Sequence, residues 1–259
     1  MKLKVGSIHG LILGLVAIFG AFFIEGGSVK ALFMWPAILI VFGGTFGAVI
    51  IGFGSEKFMR IFPLIKMAYS PKKYNAKDLI NSMVEIAIKG RKFGLLAAEK
   101  DLVKLEHPFS QKMIRLILDG MSIDTIENIA ATEMKAMQDR HYSNIFIFTK
   151  MGGYAPTMGI IGTVMGLIMT LANAGNDPNI LIHNIASAFI ATLWGILSAN
   201  LLWLPVADKL KQCHLEEKHI LEVSFEGALA IQSGEIPTVI KSRLMSMLPQ
   251  KEQAEILAA

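Results

Sequence analysis

A single cysteine, Cys213, stands in a chain of 259 residues, which excludes an internal disulfide and any cysteine-based redox or zinc motif. Charge is scarce too: Asp, Glu, Lys and Arg make up 18% of the residues against 53% hydrophobic ones, and the mean hydropathy is +0.50. A soluble domain of this length does not carry that balance, so much of the chain is expected in lipid. The sequence contains no G-x-x-x-x-G-K-[ST], H-E-x-x-H, C-x-x-C or G-x-S-x-G motif. Its six histidines are scattered, and His214 and His219 lie five apart rather than at the i, i+4 spacing of a helix-borne metal pair. Neither an enzyme nor a bound cofactor or metal is expected.

Four mostly apolar stretches lack Asp, Glu, Lys and Arg, at residues 5–24, 31–54, 151–172 and 178–207. Each supplies the ~20 residues that cross a hydrocarbon core. The first follows Lys2 and Lys4, as a cleaved signal peptide would. It is longer than a usual signal core, however, and runs into Phe22-Phe23-Ile24-Glu25 without an A-x-A site, so a retained helix is expected. The connections at 25–30 and 173–177 are short, which makes two tight hairpins. Of the 25 Lys and Arg, only Lys30 lies in those connections; nearly all the others fall in 55–150 or from 208 onward. Because basic residues near helix ends are retained inside, both termini and the 55–150 segment are expected in the cytoplasm, with the hairpins in a bacterial inner membrane. The same bias accounts for the net charge of +4 without a nucleic-acid partner.

The predicted fold class is therefore an all-α integral membrane protein with four transmembrane helices in two hairpins. The expected parts are a first hairpin (1–54), a cytoplasmic helical domain (55–150), a second hairpin (151–207) and a cytoplasmic tail (208–259). In the insert, Leu79, Met83, Ile86 and Ala87 recur at helical spacing, as do Met113, Leu116, Ile117 and Gly120, and each run offers one apolar stripe to a neighbour. From Ser122, where Ser122, Asp124 and Thr125 are candidate caps, to Thr149 there is no Pro or Gly, so this helix is expected to feed into the third span. The tail reads as one or two helices broken near Gly234 and Pro237.

The third span carries Gly152, Pro156, Gly159, Thr163, Gly166 and Thr170 at steps of three and four, a single small and polar stripe on one helix face. The fourth repeats the stepping with Asn184, Ala188, Ala191, Gly195 and Ser198, and Thr192 lies beside it. Two explanations fit: close helix packing through small residues, or a polar path in which Pro156 frees a backbone carbonyl and the threonine hydroxyls ligate or relay a cation. Neither span contains a carboxylate, and an ion at membrane depth needs a compensating group. A cation path would therefore take its carboxylate from a partner, with the stripes facing it.

The runs Ala155-Pro156-Thr157-Met158-Gly159-Ile160-Ile161-Gly162-Thr163-Val164-Met165-Gly166-Leu167 and Ala188-Phe189-Ile190-Ala191-Thr192-Leu193-Trp194-Gly195, the latter followed by Pro205-Val206-Ala207-Asp208-Lys209-Leu210, resemble the MotA family of flagellar stator subunits. That family belongs to the wider group of ExbB and TolQ energisers. The resemblance covers essentially the whole chain. It implies a homopentamer surrounding two copies of a MotB-type single-span, peptidoglycan-binding partner that supplies the ion-carrying aspartate, with H+ or Na+ as the transported ion. It implies ion-path roles for Pro156, Thr157, Thr163 and Thr192, conformational coupling through Pro156 and Pro205, and a rotor contact with a FliG-type protein through Arg91 and Glu99 in the run Gly90-Arg91-Lys92-Phe93-Gly94-Leu95-Leu96-Ala97-Ala98-Glu99. Read from spacing alone, Arg91 and Glu99 are eight apart, close to two turns of one solvated helix face.

Three other readings share features of the sequence. An ExbB or TolQ type energiser typically has three spans and an outside amino terminus, against which the first hairpin argues. A cation channel without rotor coupling gives Arg91 and Glu99 no role. A non-conducting scaffold makes the hydroxyls of Thr163 and Thr192 dispensable. Paired hydroxyls suit Na+, which takes oxygen ligands, and equally hold a water for proton transfer, so both ions fit.

Overall fold

The computed structural model describes the backbone of residues 2–175 and 177–257, and side chains at 9–175 and 177–255. Among them every regular element is a helix. In chain order these are α1 (Lys2–Ile24), α2 (Val29–Leu32), α3 (Trp35–Ile38), a π turn (Leu39–Gly43), α4 (Gly44–Phe53), α5 (Ser55–Met59), α6 (Ile61–Tyr69), α7 (Ala76–Phe93), a 3₁₀ segment (Leu95–Lys104), α8 (Pro108–Leu118), α9 (Ile123–Ala172), α10 (Pro178–Ser198), a second π turn (Ala199–Trp203), α11 (Leu204–Gln232), α12 (Pro237–Ser246) and α13 (Gln250–Leu257).

Among the described residues, three continuous helices are long and apolar enough to cross a membrane, Trp35–Phe53, Ile123–Ala172 and Pro178–Gln232, and a shorter apolar helix covers His9–Ile24. The helix of the apolar stretch 31–54 starts at Trp35 rather than at residue 31, because Ser28 caps the separate turn α2, its hydroxyl accepting from Ala31 N–H, and Pro36 then opens a new helix. The long connection of α9 is as expected: Ser122 Oγ accepts from Thr125 N–H at 3.3 Å, and the helix runs 50 residues with Pro156 inside it. The tail does not begin a new helix at 208. The fourth apolar stretch continues to Gln232, where Gly234, at φ +70°, ends it in the left-handed conformation that glycine adopts without strain.

The chain forms two compact units. One comprises residues 2–71 and 141–212, the other 72–140 and 213–257. The boundaries thus fall inside the expected 55–150 insert and 208–259 tail, because α5, α6 and the early part of α11 carry apolar residues that join the first unit's core. In that core Val49, Ile61, Phe148, Met151, Ala155, Trp203 and Val206 are buried. Aromatic rings tie the two π turns to their neighbours: Phe42 lies 6.4 Å from Trp194 and 6.5 Å from Trp203, and Phe46 lies 6.0 Å from Trp203. Tilted and edge-on pairs of this kind contribute ~0.5 to 1.5 kcal/mol each beyond burial. The Trp194 indole N–H donates to Leu32 O at 2.9 Å, holding α10 to the end of α2.

In the second unit the stripe Leu79, Met83, Ile86 and Ala87 is buried, together with Met113, Ile117, Ile240 and Leu244. Each fully buried side chain of this size is worth ~1.5 to 3 kcal/mol. Gly120 departs from the stripe predicted for it. The helix stops at Leu118, and Gly120, at φ +73°, is exposed and closes its end, with Met121 N–H donating to Leu116 O.

Candidate functional site

The small stripes of α9 and α10 are consumed in packing against each other. A Cβ built on Gly159 would lie 2.9 Å from Ala191 O and 3.1 Å from Thr192 Cα. One on Gly195 would lie 2.7 Å from Ala155 O, and one on Gly166 would lie 2.7 Å from Ala188 Cβ and 3.0 Å from Asn184 O. Each position meets backbone atoms of the facing helix at 3.0 Å or less, so a side chain there forces the helices apart, and in lipid such close packing replaces the hydrophobic drive that is absent there. Of the two explanations that the spacing left open, close packing accounts for the glycines and alanines, which form the seam of the hairpin.

The polar members of the stripes meet at that seam. Thr163 Oγ1 and Thr192 Oγ1 are hydrogen-bonded to each other. Thr163 Oγ1 also reaches Gly159 O at 3.1 Å and Ala188 O at 3.2 Å, and Thr192 Oγ1 lies 3.5 Å from Gly159 O. Two hydroxyls and two backbone carbonyls therefore converge in a half-buried spot with no charged group. Such a cluster can ligate a weakly hydrated cation or hold a water, but it supplies no neutralising charge.

The remaining sequence-predicted positions are dispersed. Pro156 is half-buried, seven residues before Thr163 on the same face of α9; lacking an N–H, it leaves the Gly152 carbonyl without its helical donor. Thr157 is exposed and bonds back to Tyr154 O at 2.8 Å, so it does not join the Thr163–Thr192 pair. Pro205 is the second residue of α11, just after the π turn, where Leu204 N–H reaches back five residues to Ala199 O. A wide turn immediately before it is where a proline is tolerated within a continuous helix. Asn184, placed by spacing on the fourth-span stripe, has its amide nitrogen buried without a hydrogen-bond partner, which spacing alone does not show.

Arg91 and Glu99 do not lie on one helix face. Helix α7 ends at Phe93, and Gly94, at φ +84°, turns the chain into the 3₁₀ segment that carries Glu99. Both residues are exposed, and between them Phe93 and Leu96 are 75% and 71% exposed. Nearby, Asp101 is buried at 6% exposure and takes Lys89 Nζ on both oxygens, at 2.8 and 2.6 Å. Hydrogen bonding to Lys89 first, and to Lys104, holds its carboxyl below the usual carboxylate range against the upward push of burial. Sequence reasoning missed this network: the i, i+4 spacing of Glu85 and Lys89 on α7 is the signal that could have pointed to it, and nothing local marks Asp101 as buried.

This is an all-α membrane protein whose principal hairpin is closed by small residues around paired hydroxyls. Residues 102–223 match the MotA/TolQ/ExbB proton channel family and residues 8–94 match the Motility protein A N-terminal family. The chain is 37% identical to Motility protein A of Bacillus subtilis (strain 168), covering 95% of this chain and 92% of that one. It is 32% identical to Chemotaxis protein PomA of Vibrio alginolyticus, covering 97% and 98%. Its fold matches the chain in the structure of the flagellar MotAB stator complex from Bacillus subtilis with a TM-score of 0.89 at 36% identity, covering 96% and 98%. The chain belongs to the MotA/TolQ/ExbB proton channel family, in its Motility protein A branch.

Proposed function

We propose that this chain is the channel-forming stator subunit of a flagellar motor, acting with a MotB-type single-span partner to convert cation flux into torque. The observation that carries the reading is the Thr163–Thr192 hydroxyl pair set in the α9–α10 seam with no acidic side chain of its own, inside a chain that matches a MotAB stator subunit over nearly its whole length. A path with oxygen ligands and no charge requires a carboxylate from outside, and the membrane aspartate of a MotB-type partner supplies it.

In this reading α1 and the three long helices give four spans, with both termini cytoplasmic in the inner membrane. Five copies surround two copies of the partner. Cation binding and release at the partner's aspartate changes which face of the pentamer the partner prefers, and differential interaction with two states is what converts binding into motion. One elementary charge falling through 100 mV yields ~2.3 kcal/mol, enough to drive a step of that size. Pro156 and Pro205 flank the path where the helices flex, and Arg91 and Glu99 face a FliG-type rotor protein. The match of residues 8–94 to the Motility protein A N-terminal family supports a stator over an energiser of the ExbB or TolQ type.

The test is single-motor rotation in cells lacking their own stators, supplied with this chain and its single-span partner, while external Na+ is varied at fixed pH. Speed rising with Na+ identifies a sodium-driven stator. Speed indifferent to Na+ and abolished by a protonophore identifies a proton-driven one. No rotation from an assembled complex overturns the reading.

A further inference from the structure

Four charged side chains join α7 to the 3₁₀ segment in alternating order. Lys89 Nζ lies 2.6 Å from Asp101 Oδ2, Lys104 Nζ lies 3.3 Å from Asp101 Oδ1, and Lys104 Nζ lies 2.6 Å from Glu85 Oε2. Glu85 and Lys89 sit one turn apart on α7; Asp101 and Lys104 sit one turn apart on the other limb. Asp101 is the buried member, its side chain 8% exposed against 43% and 49% for the lysines. A buried carboxylate of this kind is costly to leave alone and tolerable only when paired, so it fixes geometry more than it adds stability.

The clamp stands immediately behind the two rotor-facing charges. Arg91 follows Lys89 by two residues, and Glu99 precedes Asp101 by two. Between them the chain reverses through Gly94 in a conformation that only glycine holds without strain, while Phe93 and Leu96 at the turn are largely exposed and add little packing of their own. Ala98 and Leu102 of the 3₁₀ segment are buried in the same core as Ile86 and Ala87 of α7, with Leu95 packed against it, and the ion network adds to this apolar contact the charge pairing that fixes the register of the two limbs.

We propose that Asp101, bridged to Lys89 and Lys104, is a positioning residue that sets the spacing and orientation of Arg91 and Glu99 for the rotor. The inference rests on the rotor-contact reading of those two residues and extends it to a group that does not itself touch the rotor. Opposite charges presented at a fixed separation steer and register a transient contact, whereas mobile ones lose that registry to side-chain and loop entropy. The clamp supplies the fixed separation.

The experiment pairs a distance measurement with torque, using the full chain assembled with its single-span partner. Spin labels at positions 92 and 100, in a Cys213→Ser background, report the separation of the two limbs by pulsed electron resonance. Single-motor torque is read in stator-less cells from the same substitutions without labels. Asp101→Asn is expected to broaden the distance distribution and to lower torque at least about threefold, the low end for coupled charges in contact. Asp101→Glu, which keeps a carboxylate between Lys89 and Lys104, is expected to retain the narrow distribution and the torque better than Asp101→Asn does. Should Asp101→Asn not accumulate in the membrane, Lys89→Gln removes the same bond from its exposed end and takes its place. A narrow distribution and full torque from the clamp variant overturn the proposal. Arg91→Glu is run alongside: normal torque there overturns the rotor reading itself, whatever the distances show, so the two ideas fail separately.

Discussion

Thr163 and Thr192 face each other across the α9–α10 seam, each hydroxyl bonded to the other and within reach of Gly159 O. Either one can also satisfy itself on its own helix, as membrane threonines do, and Thr163 does so through that carbonyl. The structural value of the pair is therefore small, and its functional value is separable. Thr163→Val and Thr192→Val should each change the thermal midpoint of the solubilised complex little, a membrane hydrogen bond being worth ~0.6 kcal/mol on average. Ion flux should fall about tenfold, the effect of one lost bond of ~1.4 kcal/mol at a barrier. Flux at the native level in both variants, read in vesicles with the activated partner, would return the hydroxyls to a packing role.

Gly159→Ala and Gly195→Ala should fail for a different reason. Each new Cβ meets backbone at 2.9 and 2.7 Å respectively, and backbone cannot swing aside, so the helices must part at a cost of about 1 to 3 kcal/mol. Gly153→Ala is the control, since nothing lies within 4 Å of its Cβ position and helical Ala is intrinsically favoured over Gly by roughly 0.5 to 1 kcal/mol. Comparing thermal midpoints and membrane abundance of the three variants checks the ordering.

Pro156→Leu should leave assembly intact and stop rotation. A residue with an N–H restores the donor to the Gly152 carbonyl and straightens α9 where the path is proposed to flex. Co-purification of the partner at native yield with no torque is the expected pair of results; native torque refutes the role.

Acidification should loosen the second unit before it affects the hairpin. His214 is buried at 2% exposure, and burial, then Lys218, push its pKa below the ordinary 6.5, with Glu217 opposing. A histidine held low in the folded state binds fewer protons than in the unfolded one, so stability is constant above pH 6.5 and falls below it. Asp101 follows the usual carboxylate sign: its contribution is present above 3.8 and is lost as pH falls through its lower folded value. Thermal midpoints between pH 8 and 4 should therefore decline from the histidine range downward, and His214→Leu should flatten the first part of that decline.

Much of this was legible in the chain itself. The step of three and four through Gly159, Thr163 and Gly166, matched by Ala188, Ala191 and Gly195, marks the seam because helical periodicity maps directly onto one face. The burial of Leu79, Met83, Ile86 and Ala87 was legible for the same reason. Local conformation was harder to read. Arg91 and Glu99 appear two turns apart on one face until Gly94 is known to adopt positive φ, and a glycine late in a periodic run signals a stop no more strongly than a packing site. Likewise Gly120 fitted the stripe by spacing and instead ends the helix.

The order and polarity of the helices, the absence of acid from α10 and the membrane part of α9, and the positions of the two threonines are properties of the sequence, because length, hydropathy and residue identity suffice to define them. That the stripes close on each other, that the hydroxyls of Thr163 and Thr192 bond across the seam, and that Asp101 is sheltered between Lys89 and Lys104 were decided by tertiary structure alone. Each depends on how residues 12 to 33 positions apart in the chain come together, and no local pattern encodes the path by which a chain returns upon itself.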